Sequence, residues 1–199
     1  MAISKTVPAG HLGAAVAAGL TCFGENRVQE AAAKVPHVPD AEWHLVGRLQ
    51  GNKARRAVEL FSAIHSLDSR ELAGRLDRMV REVGRRDPLP VYLQVNVDGD
   101  PAKGGFDPRS VERVLPDLVA MEALEIRGLM TVGRQVPERE AARPTFASLR
   151  QLSAHLHRRW PALGAGLSMG MSDDFEVAVE EGSTLVRVGR ALFGERPPV

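Results

Sequence analysis

Across 199 residues there is one cysteine, Cys22, and one tyrosine, Tyr92, and aromatic residues make up only 5% of the chain. A single cysteine has no partner for an internal disulfide and excludes a Cys-based zinc site. Charge of either sign is not in excess: 26 basic residues face 25 acidic ones, a formal +1. Bulk electrostatics therefore offer nothing to nucleic acid or to an anionic membrane. No apolar run approaches a membrane span, and no charged-then-apolar leader opens the chain, so a cytoplasmic location is expected. A Gly-x-x-x-x-Gly-Lys phosphate loop, a Ser-His-Asp grouping and His-carboxylate sets at metal-ligand spacing are all missing. No metal is expected.

What the chain does have is an alternation of short apolar runs with amphipathic stretches, punctuated by 19 glycines and 13 prolines. Strands are expected at Ala2-Ile3, Leu20 to Gly24, Trp43 to Leu49, Ala63 to Leu67, Val91 to Val97, Ile126 to Val132, Leu167 to Met171 and Leu185 to Val188. Helical patterns lie between them, clearest at Leu72, Leu76, Met79 and Val83, which repeat every three or four residues. Asp107-Pro108 reads as a helix opening, while Pro116 and Pro144 fall inside helical patterns. Eight strand-helix units predict one α/β domain over residues 1–199, a (β/α)₈ TIM barrel, with a doubly wound open sheet as the competing architecture.

A parallel barrel binds its ligand at the strands' C-terminal ends. Two glycine-broken ends close the chain, Ser168-Met169-Gly170 and Arg187-Val188-Gly189-Arg190, where small residues let an anion reach backbone N–H groups. A phosphorylated small molecule is the ligand to expect. Lys5 ends the first apolar run, where a desolvated amine could condense with an aldehyde. Each candidate has a plainer reading. Lys5 fits a solvated tail, Asn26 a helix N-cap, His65 a core histidine and Arg187 an arginine reaching outward from a strand end.

Ordered stretches along the whole chain carry a resemblance. They include Ile3-Ser4-Lys5-Thr6, Phe23 to Glu30, Trp43 to Lys53, Ile64 to Ser69, Gln94-Val95-Asn96, Lys103 to Phe106 and Arg127 to Thr131. Leu167 to Asp174, Val186 to Gly189 and Phe193 to Arg196 complete the set. The sequence resembles the pyridoxal 5′-phosphate homeostasis proteins, relatives of the N-terminal barrel of alanine racemase. The resemblance implies pyridoxal phosphate (PLP) as cofactor, with Lys5 forming the aldimine and Arg187 facing the pyridine nitrogen. A guanidinium there would leave the nitrogen unprotonated and the ring a poor electron sink. Ser168, Gly189 and Arg190 would hold the phosphate, and Asn26 and His65 would lie near the ring. Family members usually carry Thr or Ser where this chain has Arg190, and a helix plus most of strand 1 before the Ser-Lys motif. Here four residues precede Lys5, so that helix is expected to be absent and strand 1 short and weakly held.

The function implied is PLP buffering or delivery inside the cell, by a monomer serving PLP-dependent apoenzymes, with no catalysis or only weak catalysis. Racemases of the related fold add a β-domain that brings a second base, and the only tyrosine, Tyr92, opens the fifth strand rather than ending it. The alternatives are a small PLP-dependent amino-acid racemase or lyase, and a phosphosugar barrel enzyme using Lys5 without a cofactor.

Overall fold

The computed structural model describes residues 1–134 and 136–194. Eight strands in sequential order form one parallel sheet: β1 (Ala2–Ile3), β2 (Cys22–Glu25), β3 (Glu42–Leu45), β4 (Ala63–Leu67), β5 (Leu89–Gln94), β6 (Leu124–Met130), β7 (Gly166–Met171) and β8 (Leu185–Arg187). The helices between and after them are α1 (Ala9–Ala17), α2 (Val28–Lys34), α3 (Ala54–Leu60), α4 (Arg70–Val83), α5 (Val111–Val119), α6 (Arg143–Arg159), α7 (Phe175–Glu180) and α8 (Arg190–Phe193).

The short first strand closes the barrel. Ala2 and Ile3 pair with Phe23 and Gly24 of β2. On the other edge the Ile3 N–H donates to the Val188 carbonyl (2.8 Å) and the Val188 N–H to the Met1 carbonyl (3.1 Å). Both edges of the sheet are thereby paired, the condition that separates a barrel from the open sheet.

Several boundaries differ from the sequence reading, each for a local reason. β3 stops at Leu45 rather than Leu49. The Val46 N–H still reaches the Glu25 carbonyl (2.9 Å), but Gly47 then packs so close to the Asn26 backbone that a Cβ there would lie 2.2 Å from the Asn26 oxygen. The helix expected from Asp107 begins at Val111. Asp107 instead makes a turn, its Oδ1 accepting the Arg109 N–H at 2.7 Å. Pro144 falls in the first turn of α6, where its missing N–H costs nothing, whereas Pro116 remains inside α5.

One glycine pair sets the shape of the barrel interior. Gly128 has φ +148°, and a Cβ added to it would lie 1.9 Å from the Gly166 carbonyl oxygen. The β5–β6 register skips a residue here, Val91 pairing with Ile126 and Tyr92 with Gly128. The close approach leaves room for the Tyr92 ring against Gly166, where an added Cβ would meet Tyr92 Cε1 at 3.0 Å. Gly128→Ala is therefore expected to destabilise the fold by ~2 kcal/mol through strain and overpacking. Urea denaturation checks this; an unchanged midpoint would mean that the strand pair yields without cost.

Candidate functional site

The end of β1 is fixed from below by a buried ionic cluster. Just past β1, Ser4 is fully buried, while Lys5, in the turn that follows, is half-buried. Ser4 Oγ donates to Glu25 Oε1 (2.7 Å). Lys34, the last residue of α2, places its ammonium on the Ser4 carbonyl (2.6 Å), Glu25 Oε1 (2.7 Å) and Glu30 Oε1 (2.7 Å). An ammonium has three protons, and all three are used. Glu30 Oε1 also accepts the Thr6 N–H at 2.5 Å. Thr6 has φ +66° and is the only non-glycine residue with positive φ among the described residues. A left-handed threonine is strained and persists only where its surroundings hold it. Glu30 and Lys34 hold it, and so set the direction in which Lys5 leaves the strand.

Burial pushes the Glu25 carboxyl above the usual carboxylate range, with the hydrogen bonds from Lys34 and Ser4 opposing only part of that rise. Its Oε2 is the buried side-chain oxygen without a hydrogen-bond partner among the described residues. Glu30 moves the other way: the bond from Lys34 and the Thr6 N–H outweigh its partial burial.

Lys5 opens onto a cavity of about 300 Å³, lined also by Thr6, His11, Gly189, Arg190 and Phe193. That volume is at the small end of ligand sites and suits a single substituted ring. The Gly189 N–H donates to Ser172 Oγ (3.2 Å), and the Arg190 guanidinium pairs with Asp173. Of the seven residues singled out from sequence, Lys5, Gly189 and Arg190 thus share one cavity. Asn26 lies elsewhere, in a groove of about 680 Å³ with Arg27, Arg48 and Lys53.

The other three, His65, Ser168 and Arg187, meet inside the barrel. Arg187 is 5% exposed. It donates through Nη1 to the Ser168 carbonyl (2.8 Å) and Ser168 Oγ (3.0 Å), and through Nη2 to the Thr131 carbonyl (2.7 Å). Burial lowers its pKa to about 10, so it stays charged at neutral pH. Ser168 Oγ also lies 2.8 Å from His65 Nδ1. His65 Nε2 in turn lies 3.0 Å from His44 Nδ1, and the His65 ring stacks on Tyr92 with centroids 4.4 Å apart. The reading of Arg187 as an outward-reaching strand-end arginine is thereby corrected. Its guanidinium turns inward and satisfies the Ser168 and Thr131 carbonyls.

Sequence reasoning missed Glu25, Lys34 and His44, whereas Ser172 stands with Ser168 among the strand-end polar residues it picked out. Glu25 and Lys34 sit nine residues apart, with no spacing that marks an ion pair before α2 folds back onto β2.

This chemistry sits on a known type of barrel. A family model described as alanine racemase, N-terminal domain matches residues 1–197. The chain belongs to that family. Curated relatives within it carry the name pyridoxal phosphate homeostasis protein. The one from Pseudomonas aeruginosa is 43% identical over 98% of this chain and 84% of its own length. The one from Aquifex aeolicus is 40% identical over 97% and 85%. Among solved structures, PipY of Synechococcus elongatus PCC7942 with PLP bound superposes with a TM-score of 0.90 at 45% identity, covering 98% of this chain and 91% of PipY. Alanine racemase of Clostridium difficile superposes at 0.80 with 13% identity, a likeness of fold alone. Among the described residues this family member has eight parallel strands with helices between them, as its sequence predicted. No described helix is long and apolar enough to cross a membrane.

Proposed function

We propose that this protein binds PLP through Lys5 and serves the homeostasis of that cofactor as a carrier, handing it to PLP-dependent apoenzymes in the cytoplasm. The observation that carries the reading is the placement of a primary amine, Lys5, with Gly189 and Arg190 around one small cavity. The donor set fits the group: an amine for an aldehyde, backbone and guanidinium donors for a phosphate, and a charged arginine, Arg187, at the end of β8. When bound, PLP supplies an aldehyde and an electron-accepting pyridine ring.

Binding and orientation rest on the chain's own residues. Thr6, Glu30 and Lys34 hold the Lys5 backbone in place. Gly189 and Arg190 would take the phosphate, with Ser172 beside the Gly189 N–H. Ser168 is better suited to orienting Arg187 than to meeting a phosphate, because its hydroxyl already lies between Arg187 and His65. The family resemblance would have Arg187 face the ring nitrogen. It does not itself line the Lys5 cavity and is held on Ser168 and Thr131, so it would reach the ring from beneath. It cannot give the nitrogen a shared proton as a carboxylic acid could. That favours holding the cofactor over carbanion chemistry. Tyr92 is stacked under His65, and burial raises its pKa; it does not line the Lys5 cavity.

A second reading, a racemase or lyase, is favoured by one observation: His11 of α1 is exposed and lines the Lys5 cavity. Two measurements decide. Borohydride reduction of the PLP-loaded protein followed by peptide mass spectrometry is expected to put the pyridoxyl group on Lys5, and Lys5→Ala is expected to lose the visible absorbance of the loaded protein. Label on another lysine, with the absorbance intact in Lys5→Ala, sinks the assignment. Alanine racemisation at ordinary enzyme rates, on the order of 1–10³ per second, and abolished by His11→Ala, would establish the second reading instead.

A further inference from the structure

The hydrogen-bonded chain that starts at Arg187 does not end at His44. It runs to the opposite end of the barrel, where β2 and β3 begin. Cys22 and Glu42, the first residues of these strands, are register partners. His44 follows Glu42 by two, so both project from the same face of β3. His44 Nε2 lies 3.8 Å from Cys22 Sγ and 3.9 Å from Glu42 Oε2. One ligand atom from each of the three residues lies within 4.8 Å of the others. From sequence, the lone Cys22 predicts no Cys-based zinc site, but a single thiolate can ligate zinc together with imidazole and carboxylate donors. The fold supplies the two further donors from the adjoining strand.

We propose that Cys22, Glu42 and His44 form a three-ligand site for Zn²⁺ or a cation of the same class. A thiolate, an imidazole and a carboxylate are the donor types such an ion takes, and ligand atoms 3.8 and 3.9 Å apart can close onto one tetrahedral centre with small side-chain rotations. The fourth position is left for water. Glu42 has a side chain 69% exposed, so the ion can enter from solvent. On binding, the Cys22 thiol loses its proton to the buffer.

His44 already has what a ligating histidine needs, a hydrogen-bond partner on its other nitrogen. That partner makes the site informative to the rest of the barrel. A metal on Nε2 requires the His44 proton to sit on Nδ1, donating to His65 Nε2. His65 must then carry its proton on Nδ1 and donate to Ser168 Oγ. Arg187 only donates, so Ser168 accepts from both sides and its own hydroxyl proton turns elsewhere. Without metal, the opposite direction is open, with Ser168 donating to His65 and His65 to His44. Occupancy at one end of the barrel therefore fixes proton positions next to Arg187 at the other, with no net proton change in the two histidines.

The test uses the full chain, reduced and freed of metal. Titration with Co²⁺ is expected to give a near-ultraviolet sulfur-to-metal charge-transfer band saturating at one ion per chain. Cys22→Ser is expected to lose that band, and Glu42→Gln to weaken binding. His65→Phe is expected to weaken it about 10-fold or more while keeping the band. Absence of the band in wild type, or its persistence in Cys22→Ser, overturns the site; Cys22→Ser is conservative enough to fold, and its thermal melt verifies that. Nitrogen-15 spectra of the imidazoles with and without Zn²⁺ test the coupling. Both His44 and His65 are expected to show the Nδ1–H form in the zinc-loaded protein. A His65 spectrum showing the Nε2–H form with Zn²⁺ bound overturns the relay.

Discussion

Lys34→Met is expected to lower the unfolding free energy by about 3 kcal/mol, because it leaves Glu25 and Glu30 without their shared cation in a buried site. For a chain of this length that corresponds to a fall in Tm of about 6–12 °C. The side chain of Glu25 has no exposed surface and that of Lys34 only 7%, so solvent cannot stand in for the lost partner. The effect should reach the cofactor as well. Lys34 holds the Ser4 carbonyl and, through Glu30, the left-handed Thr6. Losing both anchors frees the backbone around Lys5, and PLP binding is expected to weaken beyond what partial unfolding explains. Calorimetry with and without PLP separates the two effects. A variant that melts with the wild type shows that the cluster is not what holds the end of β1.

Acid is expected to remove a comparable amount of stability through the buried histidines. Burial lowers the pKa of His44 to about 4, and holds that of His65 well below its ordinary value with help from His44 and Arg187. In the unfolded chain a histidine titrates near 6.5, so between roughly pH 6.5 and 4 the unfolded state binds the extra proton. Their contribution is complete above about pH 6.5 and is lost as the pH falls towards the folded value. His44 alone accounts for ~3 kcal/mol across that window, at about 1.4 kcal/mol per pH unit. Glu25 works in the opposite sense, since its raised pKa makes protonation in acid favourable to the folded state. Urea denaturation at a series of pH values, in chelator, is the measurement, with His44→Gln as the comparison. A pH slope identical in the two proteins would falsify the assignment to His44.

Much of this molecule is legible in its sequence. β4 has the same bounds in sequence and structure, Ala63–Leu67, with apolar Ala63, Ile64 and Leu67 framing the buried His65 and Ser66. The amphipathic stretch around Leu72, Leu76, Met79 and Val83 forms α4, capped by Ser69 and ended by Gly84 in the left-handed region. Lys5, Gly189 and Arg190 are readable as strand-end residues, and the parallel topology does bring strand ends to one mouth. Less legible are the ends of β3 and β5. They depend on where the backbone leaves its neighbour, as β3 does where Gly47 packs against the Asn26 backbone just after the Val46 N–H has bonded Glu25, and not on the propensity of the residues themselves.

By itself, then, the sequence determined the order of strands and helices and placed Lys5, Gly189 and Arg190 at strand ends. These come from periodicity, from glycine and proline, and from motifs contiguous along the chain. The choice of barrel over open sheet came instead from the pairing of β1 with both β2 and Val188. The tertiary structure alone decided which polar groups share a buried space. It set Lys34 against Ser4, Glu25 and Glu30, and placed Ser168 between Arg187 and His65. It also made Cys22, Glu42 and His44 neighbours. The physical reason is register. A residue's face is fixed by alternation along its own strand, but its companions on that face come from strands about twenty to a hundred residues away, and only the closed sheet fixes which of them lie side by side.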